Sequence, residues 1–396
     1  MRRVIVKFAG GLAGGIALGY ALRRTAEAVA ELREPAKRSE PNAKSYGALR
    51  RGLMLSGIAR SLLGLGTIAY GIGPLIEPKP GERESRARRM ALIGGALAVS
   101  ALVDLPADFV EGFALERRYG LSKQTARDWA LEHAKSAGLT VAIGVPLIEL
   151  LALAIARAPR RWPLVATLGS VPLLVLANVV APTYIAPLFN TFEALEGEFA
   201  EEIRALASRF GAGDAKILRV DMSKQTEKAN AYVTGLFATK RIVIGDTLLG
   251  KFEPRETMFV VAHELGHYAT SDVWRMVGAG TGAAAFVFFG GRAIATRGNP
   301  ELASTAGLAR LFFAISLLST IAGPVLAAFS RSRERAADEF AIAATSDATA
   351  GAAAFRRLRD QNLAEDEQPR WMELLFSSHP SLRKRIANLE AISAPS

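Results

Sequence analysis

Cysteine is absent from this 396-residue chain, and histidine occurs only four times. The first absence excludes a thiol nucleophile, disulfides and cysteine-rich zinc sites, while leaving the redox compartment open. The second makes any histidine cluster informative. Internal repeats are also missing, and low complexity goes no further than a general alanine-rich bias. A net charge of +11 would suit a nucleic-acid partner, but the basic residues cluster between apolar stretches instead of forming one stripe. Arg23, Arg24, Arg33, Lys37, Arg38, Lys44, Arg50 and Arg51 follow the first stretch; Arg117, Arg118, Lys123, Arg127 and Lys135 follow the third. That distribution is what positive-inside bias produces in a membrane protein, and it argues against nucleic acid.

What is there is apolar. Half of the residues are hydrophobic and the mean hydropathy is +0.19, high for a water-soluble enzyme of this length. Seven stretches approach the roughly 20 residues needed to span a bilayer: Val4–Leu22, Leu53–Ile76, Met90–Leu115, Leu139–Ile155, Pro163–Ala181, Val277–Thr296 and Ala306–Phe329. The fold class is therefore mainly α and polytopic. Asp104, Pro106, Asp108 and Glu111 interrupt the third stretch, and Glu149 lies in the fourth. Intramembrane carboxylates face either a water-filled cavity or a hydrogen-bonded partner helix, and both readings stand at this point. The first stretch, after Met1-Arg2-Arg3, could be a signal peptide; its length and its Gly10/Gly14 and Gly11/Gly15 spacing favour a retained anchor. With the N-terminus outside, charge bias puts residues 182–275 and the C-terminal tail on the cytoplasmic side, although Lys79, Arg83, Arg86, Arg88 and Arg89 oppose that assignment.

Two of the four histidines belong to His263-Glu264-Leu265-Gly266-His267, an HExxH motif. Histidines at i and i+4 share a helix face and can grip one zinc ion, with the intervening glutamate placed to act as general base toward water. Pro254 and Glu256 suit the first turn of this helix. Around it, residues 182–275 read as a small α+β part: a helix marked by Leu195, Phe199, Ile203 and Leu206 and capped near Gly211, a strand at Lys216–Val220, and a hairpin of Ala231–Phe237 and Arg241–Gly245. The tail from Ser330 is helical to about Thr345, again over Ala350–Arg359, and once more after Pro380.

A zinc site needs a third protein ligand. Thr270 and Val273 exclude the metzincin extension of HExxH, which requires Gly and His there. Asp272 would be an awkward ligand if one continuous helix ran through it. Glu334 and Asp338, at i and i+4 beyond the last apolar stretch, are better placed: Glu334 can complete a His₂Glu set, while Asp338 accepts the free N–H of a zinc-bound imidazole. His379, before Pro380, reads from spacing alone as a turn residue.

Several segments, in order, resemble the type I CAAX prenyl endopeptidases. They are Glu116-Arg117-Arg118-Tyr119-Gly120 with Lys123-Gln124-Thr125; Ala186-Pro187-Leu188-Phe189; Asn230-Ala231-Tyr232; Arg241-Ile242-Val243 with Asp246-Thr247-Leu248-Leu249; Ser330-Arg331 with Glu334 and Ala337-Asp338; and Ser378-His379-Pro380 with Arg385. The likeness covers about Phe113 to Ile392, and residues 1–112 match poorly. It implies seven helices around a hydrated chamber, one zinc per chain held by His263, His267 and Glu334, and water activation by Glu264. It further implies that His379 and Arg385 hold the substrate or developing oxyanion, and that Asn230, Ala231 and Tyr232 pair with an extended peptide. The chain departs from the family at Asp272, where a further histidine is common.

The expectation is thus a membrane zinc metalloendopeptidase with residues 1–181 as an N-terminal transmembrane region and 182–396 as the metallopeptidase region, the latter including two spans (277–329). Its partners would be peptide or membrane-protein substrates and membrane lipids. Composition suggests a bacterial chain, hence the plasma membrane with the site reached from the cytoplasm. A quality-control zinc protease of the HtpX type, with fewer spans, is the alternative enzyme. A transporter or scaffold that binds zinc without catalysis is the alternative of another class.

Overall fold

The computed structural model describes residues 42–79, 82, 84–297 and 301–393. In chain order the elements are helices α1 (Ala43–Ile76), α2 (Arg86–Arg118), α3 (Ala126–Arg157) and α4 (Trp162–Leu188), strand β1 (Phe192–Ala194), helix α5 (Glu198–Arg209) and strands β2 (Lys216–Val220), β3 (Ala231–Thr234) and β4 (Arg241–Gly245). Helices α6 (Asp246–Leu249), α7 (Pro254–Ala269), α8 (Asp272–Ala295), α9 (Thr305–Thr345), α10 (Ala348–Gln361), α11 (Arg370–Leu375) and α12 (Leu382–Ser393) follow.

Helices α1–α4, α8 and α9 are long and apolar enough to cross a membrane. They coincide with six of the seven expected stretches; the first, Val4–Leu22, lies outside the described residues. One expectation changes. No boundary separates the last span from the helical tail, because α9 runs unbroken for 41 residues. After Pro324 no glycine or proline intervenes before Thr345, and the Ala-, Arg- and Glu-rich run consists of strong helix formers.

The chain divides into two compact units. The first comprises the described parts of 1–119, 125–168 and 284–320. Its core gathers Trp162, Ala152, Ile155, Leu308 and Leu311. Here the intramembrane carboxylates lie beside arginines or a histidine of neighbouring helices. Glu149, buried on α3, accepts two hydrogen bonds from Arg89 of α2, at 2.7 and 2.6 Å, and one from Arg86 at 3.1 Å. Asp104 meets Arg60 at 3.3 Å, Asp108 meets His133 at 3.7 Å and Glu111 meets Arg50 at 3.3 Å. Of the two readings open at the sequence level, the hydrogen-bonded helix contact holds for Glu149 and Asp104, Glu111 makes an ion pair, and Asp108 only approaches His133.

The second unit comprises 120–124, 169–283 and the described part of 321–396. Its sheet has the order β1-β2-β4-β3, with β2 and β4 parallel and the outer pairs antiparallel. The predicted hairpin is β3–β4. β3 stops at Thr234, earlier than expected, because Gly235 takes φ 86° where a Cβ would stand 2.1 Å from the Thr239 carbonyl oxygen. Only glycine fits that turn. Apolar residues of α5, the sheet, α7, α10 and α12 form one core, with Ile203, Ile244, Phe259, Val261, Leu265, Phe355 and Leu389 among its members. The core fixes α7 from several sides, so the residues α7 exposes on its remaining face are held firmly.

Candidate metal centre

Helix α7 begins as its sequence demands. Pro254 occupies its first turn, and Glu253 and Glu256 form a capping box, the Glu256 carboxylate accepting from the Glu253 amide at 2.9 Å. Three turns later His263 and His267 lie on one face, ring centroids 5.0 Å apart. Gly266 sits between them at the crossing with α9. A Cβ there would come within 3.1 Å of Ala337 Cα and of the Phe340 ring. This close approach carries Glu334, almost one turn before Ala337, up to the histidine pair.

Ligand atoms of His263, His267 and Glu334 all lie within 4.8 Å of one another. Each imidazole turns Nε2 toward the glutamate, His263 at 3.4 Å from Oε2 and His267 at 3.4 Å from Oε1. Glu334 Oε2 is buried and receives no hydrogen bond among the described residues, with Arg385 Nη1 at 3.5 Å. Two imidazole nitrogens converging on a carboxylate with an unsatisfied oxygen fit a borderline-soft divalent metal.

The opposite ring nitrogens are also occupied. His263 Nδ1 is 2.9 Å from Asp338, the contact expected from sequence. His267 Nδ1 is 2.9 Å from Asp272. The expected continuous helix through Asp272 is not formed: α7 ends at Ala269, Ser271 adopts φ 58°, and the chain doubles back to start α8 at Asp272. A turn, not a helix, brings this carboxylate to the imidazole. Thr270-Ser271-Asp272 carries the residue types that begin a helix, the sequence signal that could have located the break.

Burial pushes the His263 imidazole down, but Asp338 and Glu334 outweigh it and raise its pKa to about 9. Burial likewise opposes protonation of His267, whose pKa is nonetheless raised by Glu334 and Asp272. Glu264 has its pKa raised by burial, against the pull of the two histidines. A raised pKa makes this carboxylate the stronger base, the direction a general base needs.

A cavity of about 420 Å³ opens over the cluster, lined by His263, Glu264 and Glu334 together with Asn230, Ala231, His379 and Arg385. Of the predicted site residues, His267, Asp338 and Tyr232 are not among those lining it. His379, 60% exposed at its side chain, places Nε2 3.2 Å from Glu334 Oε1, and Ser378 Oγ holds its Nδ1 at 2.8 Å. Arg385 is buried, bonds Asp338 through Nε and Nη2 at 2.8 and 2.6 Å, and stacks over Phe355 at 4.0 Å. Among the lining residues that were not foreseen, Asn362 has a defined task. Asn362 receives the Ala229 amide at 2.8 Å and donates to the Ala229 carbonyl at 3.2 Å, bracing the chain as it enters β3. No pattern in the sequence marks it.

Comparison with known proteins agrees with this geometry. Residues 193–393 match the profile of peptidase family M48, and residues 43–191 match that of the CAAX prenyl protease N-terminal region with five membrane helices. An uncharacterized metalloprotease, YhfN, of Bacillus subtilis is 30% identical over 309 residues, covering 74% of this chain and 71% of that protein. CAAX prenyl protease 1 of Saccharomyces cerevisiae is 37% identical over 195 residues, or 48% of this chain and 43% of that protein. The crystal structure of S. mikatae Ste24p superposes with a TM-score of 0.75 over 95% of this chain and 99% of that one, at 23% identity, a likeness of fold.

Proposed function

From the premise that the chain belongs to peptidase family M48, as a multi-pass membrane metallopeptidase related to the CAAX prenyl proteases, we propose that it is a zinc endopeptidase acting on membrane-associated or lipid-anchored peptides. The observation that carries this reading is the convergence of His263, His267 and Glu334 within 4.8 Å, with His263, Glu334 and the neighbouring Glu264 lining a cavity. These three residues would hold the metal. Zinc bound there supplies a Lewis acid that polarises a peptide carbonyl and acidifies water. Glu264 then takes the proton from the attacking water and delivers it to the leaving amine. His379, exposed and at the cavity wall, would donate to the developing oxyanion, and Arg385 Nη1 would lend positive charge beside it.

The substrate reading rests on β3. Its inner side pairs with β4, and no strand covers its outer edge among the described residues. Asn230 and Ala231 border the cavity at the start of that edge. An extended peptide can add there by main-chain hydrogen bonds, with Tyr232 continuing the register. Residues 1–181 would form the transmembrane region, and 182–396 the peptidase region with two further spans of its own. The bacterial plasma membrane, with the site open to the cytoplasm, is the location that the charge distribution favours.

Six spans among the described residues exceed the four that a quality-control protease of the HtpX type would need. A zinc-binding transporter or scaffold would have no use for Glu264 between the histidines. The test is Glu264→Gln, which leaves the proposed ligands intact. Purified variant should retain zinc and lose hydrolysis by about 10²–10⁴-fold, the usual contribution of a general base. Activity close to that of the unmodified protein would remove Glu264 from this role.

A further inference from the structure

The His267 side of the centre contains a pair of residues that the reaction as described does not use. Asp272 Oδ2 lies 2.9 Å from His267 Nδ1, and Arg333 Nε donates to Asp272 Oδ1 at 2.6 Å. Asp272 is buried, with only 5% of its surface exposed. Its Oδ2 faces the nitrogen opposite to the one that points at Glu334, so it lies on the far side of the ring from the three converging ligand atoms. That position suits an orienting contact and not coordination.

A related arrangement occurs around His263, although there the arginine also reaches the ring itself, at 3.3 Å from Nδ1. There Asp338 meets Nδ1 at 2.9 Å, and Arg385 bonds both carboxylate oxygens of Asp338. Each histidine therefore has a carboxylate behind it, and each carboxylate has an arginine behind that. We propose that Asp272 and Arg333 are a positioning pair for His267, fixing its tautomer and ring orientation so that Nε2 is presented to the metal. This inference rests on the metal ligands assigned above.

The physical argument is direct. An imidazole that donates Nδ1–H to a carboxylate must carry its lone pair on Nε2, and the carboxylate makes that nitrogen a better donor to metal. A buried carboxylate with one free oxygen would itself be unfavourable, and Arg333 satisfies that oxygen. Because Asp272 is the first residue of α8 and Arg333 lies on α9, the pair also ties the ring to two helices long and apolar enough to cross a membrane. Arg333 acts only through Asp272.

The experiment measures zinc affinity by chelator competition for the full-length protein and for Asp272→Asn, Asp272→Glu, Arg333→Gln and the Asp272→Asn/Arg333→Gln double variant. His267→Ala serves as control, and the visible spectrum of each cobalt-substituted protein is recorded alongside. Asp272→Asn should weaken zinc by about 10–100-fold and alter the cobalt spectrum, with the melting temperature of the metal-free protein unchanged. Asp272→Glu should restore part of the affinity. Arg333→Gln should weaken zinc less, and the double variant should be no worse than Asp272→Asn alone. Unchanged affinity and spectrum in both Asp272→Asn and Arg333→Gln, while His267→Ala loses zinc, would overturn the pair and leave the ligand assignment standing. If His267→Ala also kept its zinc, the ligand assignment itself would fail. Should Asp272→Asn not fold, Arg333→Gln decides by the same two readouts.

Discussion

Glu334 and Asp338 are one helical turn apart, yet their surroundings give them different tasks. Glu334 meets both Nε2 atoms and keeps one buried oxygen unsatisfied, whereas Asp338 touches the rear of His263 and is fully engaged by Arg385. Glu334→Ala should therefore abolish tight zinc binding together with activity. Asp338→Ala should weaken zinc by about 10–100-fold, as for other contacts behind a metal-bound histidine. Metal analysis of both purified variants checks the order, and a Glu334→Ala protein with undiminished zinc affinity would move the third ligand elsewhere. Protonation gives a second handle. In the metal-free protein His263 titrates at about 9, so at neutral pH it carries a proton that zinc must displace. Raised folded-state pKa values mean that the proton is bound below about 9 and lost above it, and His267 is shifted in the same direction. Apparent zinc affinity should thus climb with pH until about 9 and then level, with proton release on binding below that point. Calorimetry in buffers of different ionisation enthalpy measures the release directly. Binding without proton uptake by the buffer at pH 7 would contradict it.

Between elements, the decisive contact is the crossing of α7 and α9 at Gly266. Any side chain there meets Ala337 and Phe340 at 3.1–3.2 Å, so α9 must yield and take Glu334 with it. Gly266→Ala should lower zinc affinity, and Gly266→Val should add an overpacking cost of about 1–3 kcal/mol, read as a lower melting temperature in detergent and reduced metal content. Full metal occupancy in Gly266→Val would show that the crossing tolerates more than its geometry implies. Elements of this kind differ in how far the sequence reveals them. α7, β2 and the β3–β4 hairpin were readable because cap, turn and periodicity signals are local. The six described spans were readable because apolar length is enough to identify them. Local patterns do not carry the third dimension, which is why Arg333, Asn362 and the return of Asp272 onto His267 were not. The last of these depends on a single residue, Ser271 at φ 58°, and the expectation of a continuous helix failed at that residue. β1, three residues long, has too little pattern to detect. The carboxylates of the spans were visible as anomalies, but whether they faced water or arginine depended on partners as distant in sequence as Arg89 is from Glu149.

At the scale of the whole molecule, a peptidase cluster is built on a chain whose other half is membrane helix. Two of those helices supply site residues directly: α9 carries Glu334 and Asp338, and α8 begins with Asp272. On the proposed function, a substrate anchored in a bilayer would be well placed to reach the cavity. The edge of β3, which no strand covers among the described residues, would on that proposal orient a peptide by main-chain pairing with little demand on its side chains. Affinity must then come from elsewhere, and burial of an apolar tail supplies about 0.8 kcal/mol per methylene. One peptide sequence, tested with and without a long acyl or prenyl tail in liposomes, should consequently show a much higher kcat/KM when the tail is present. The gain should shrink as the tail is shortened, while substitutions next to the scissile bond have modest effects. Shortening the tail should raise KM before it lowers kcat, since the anchor contributes to ground state and transition state alike. Equal kcat/KM with and without the tail would refute anchoring and point to general proteolysis of exposed loops, with the metal centre and Glu264 unaffected by that outcome.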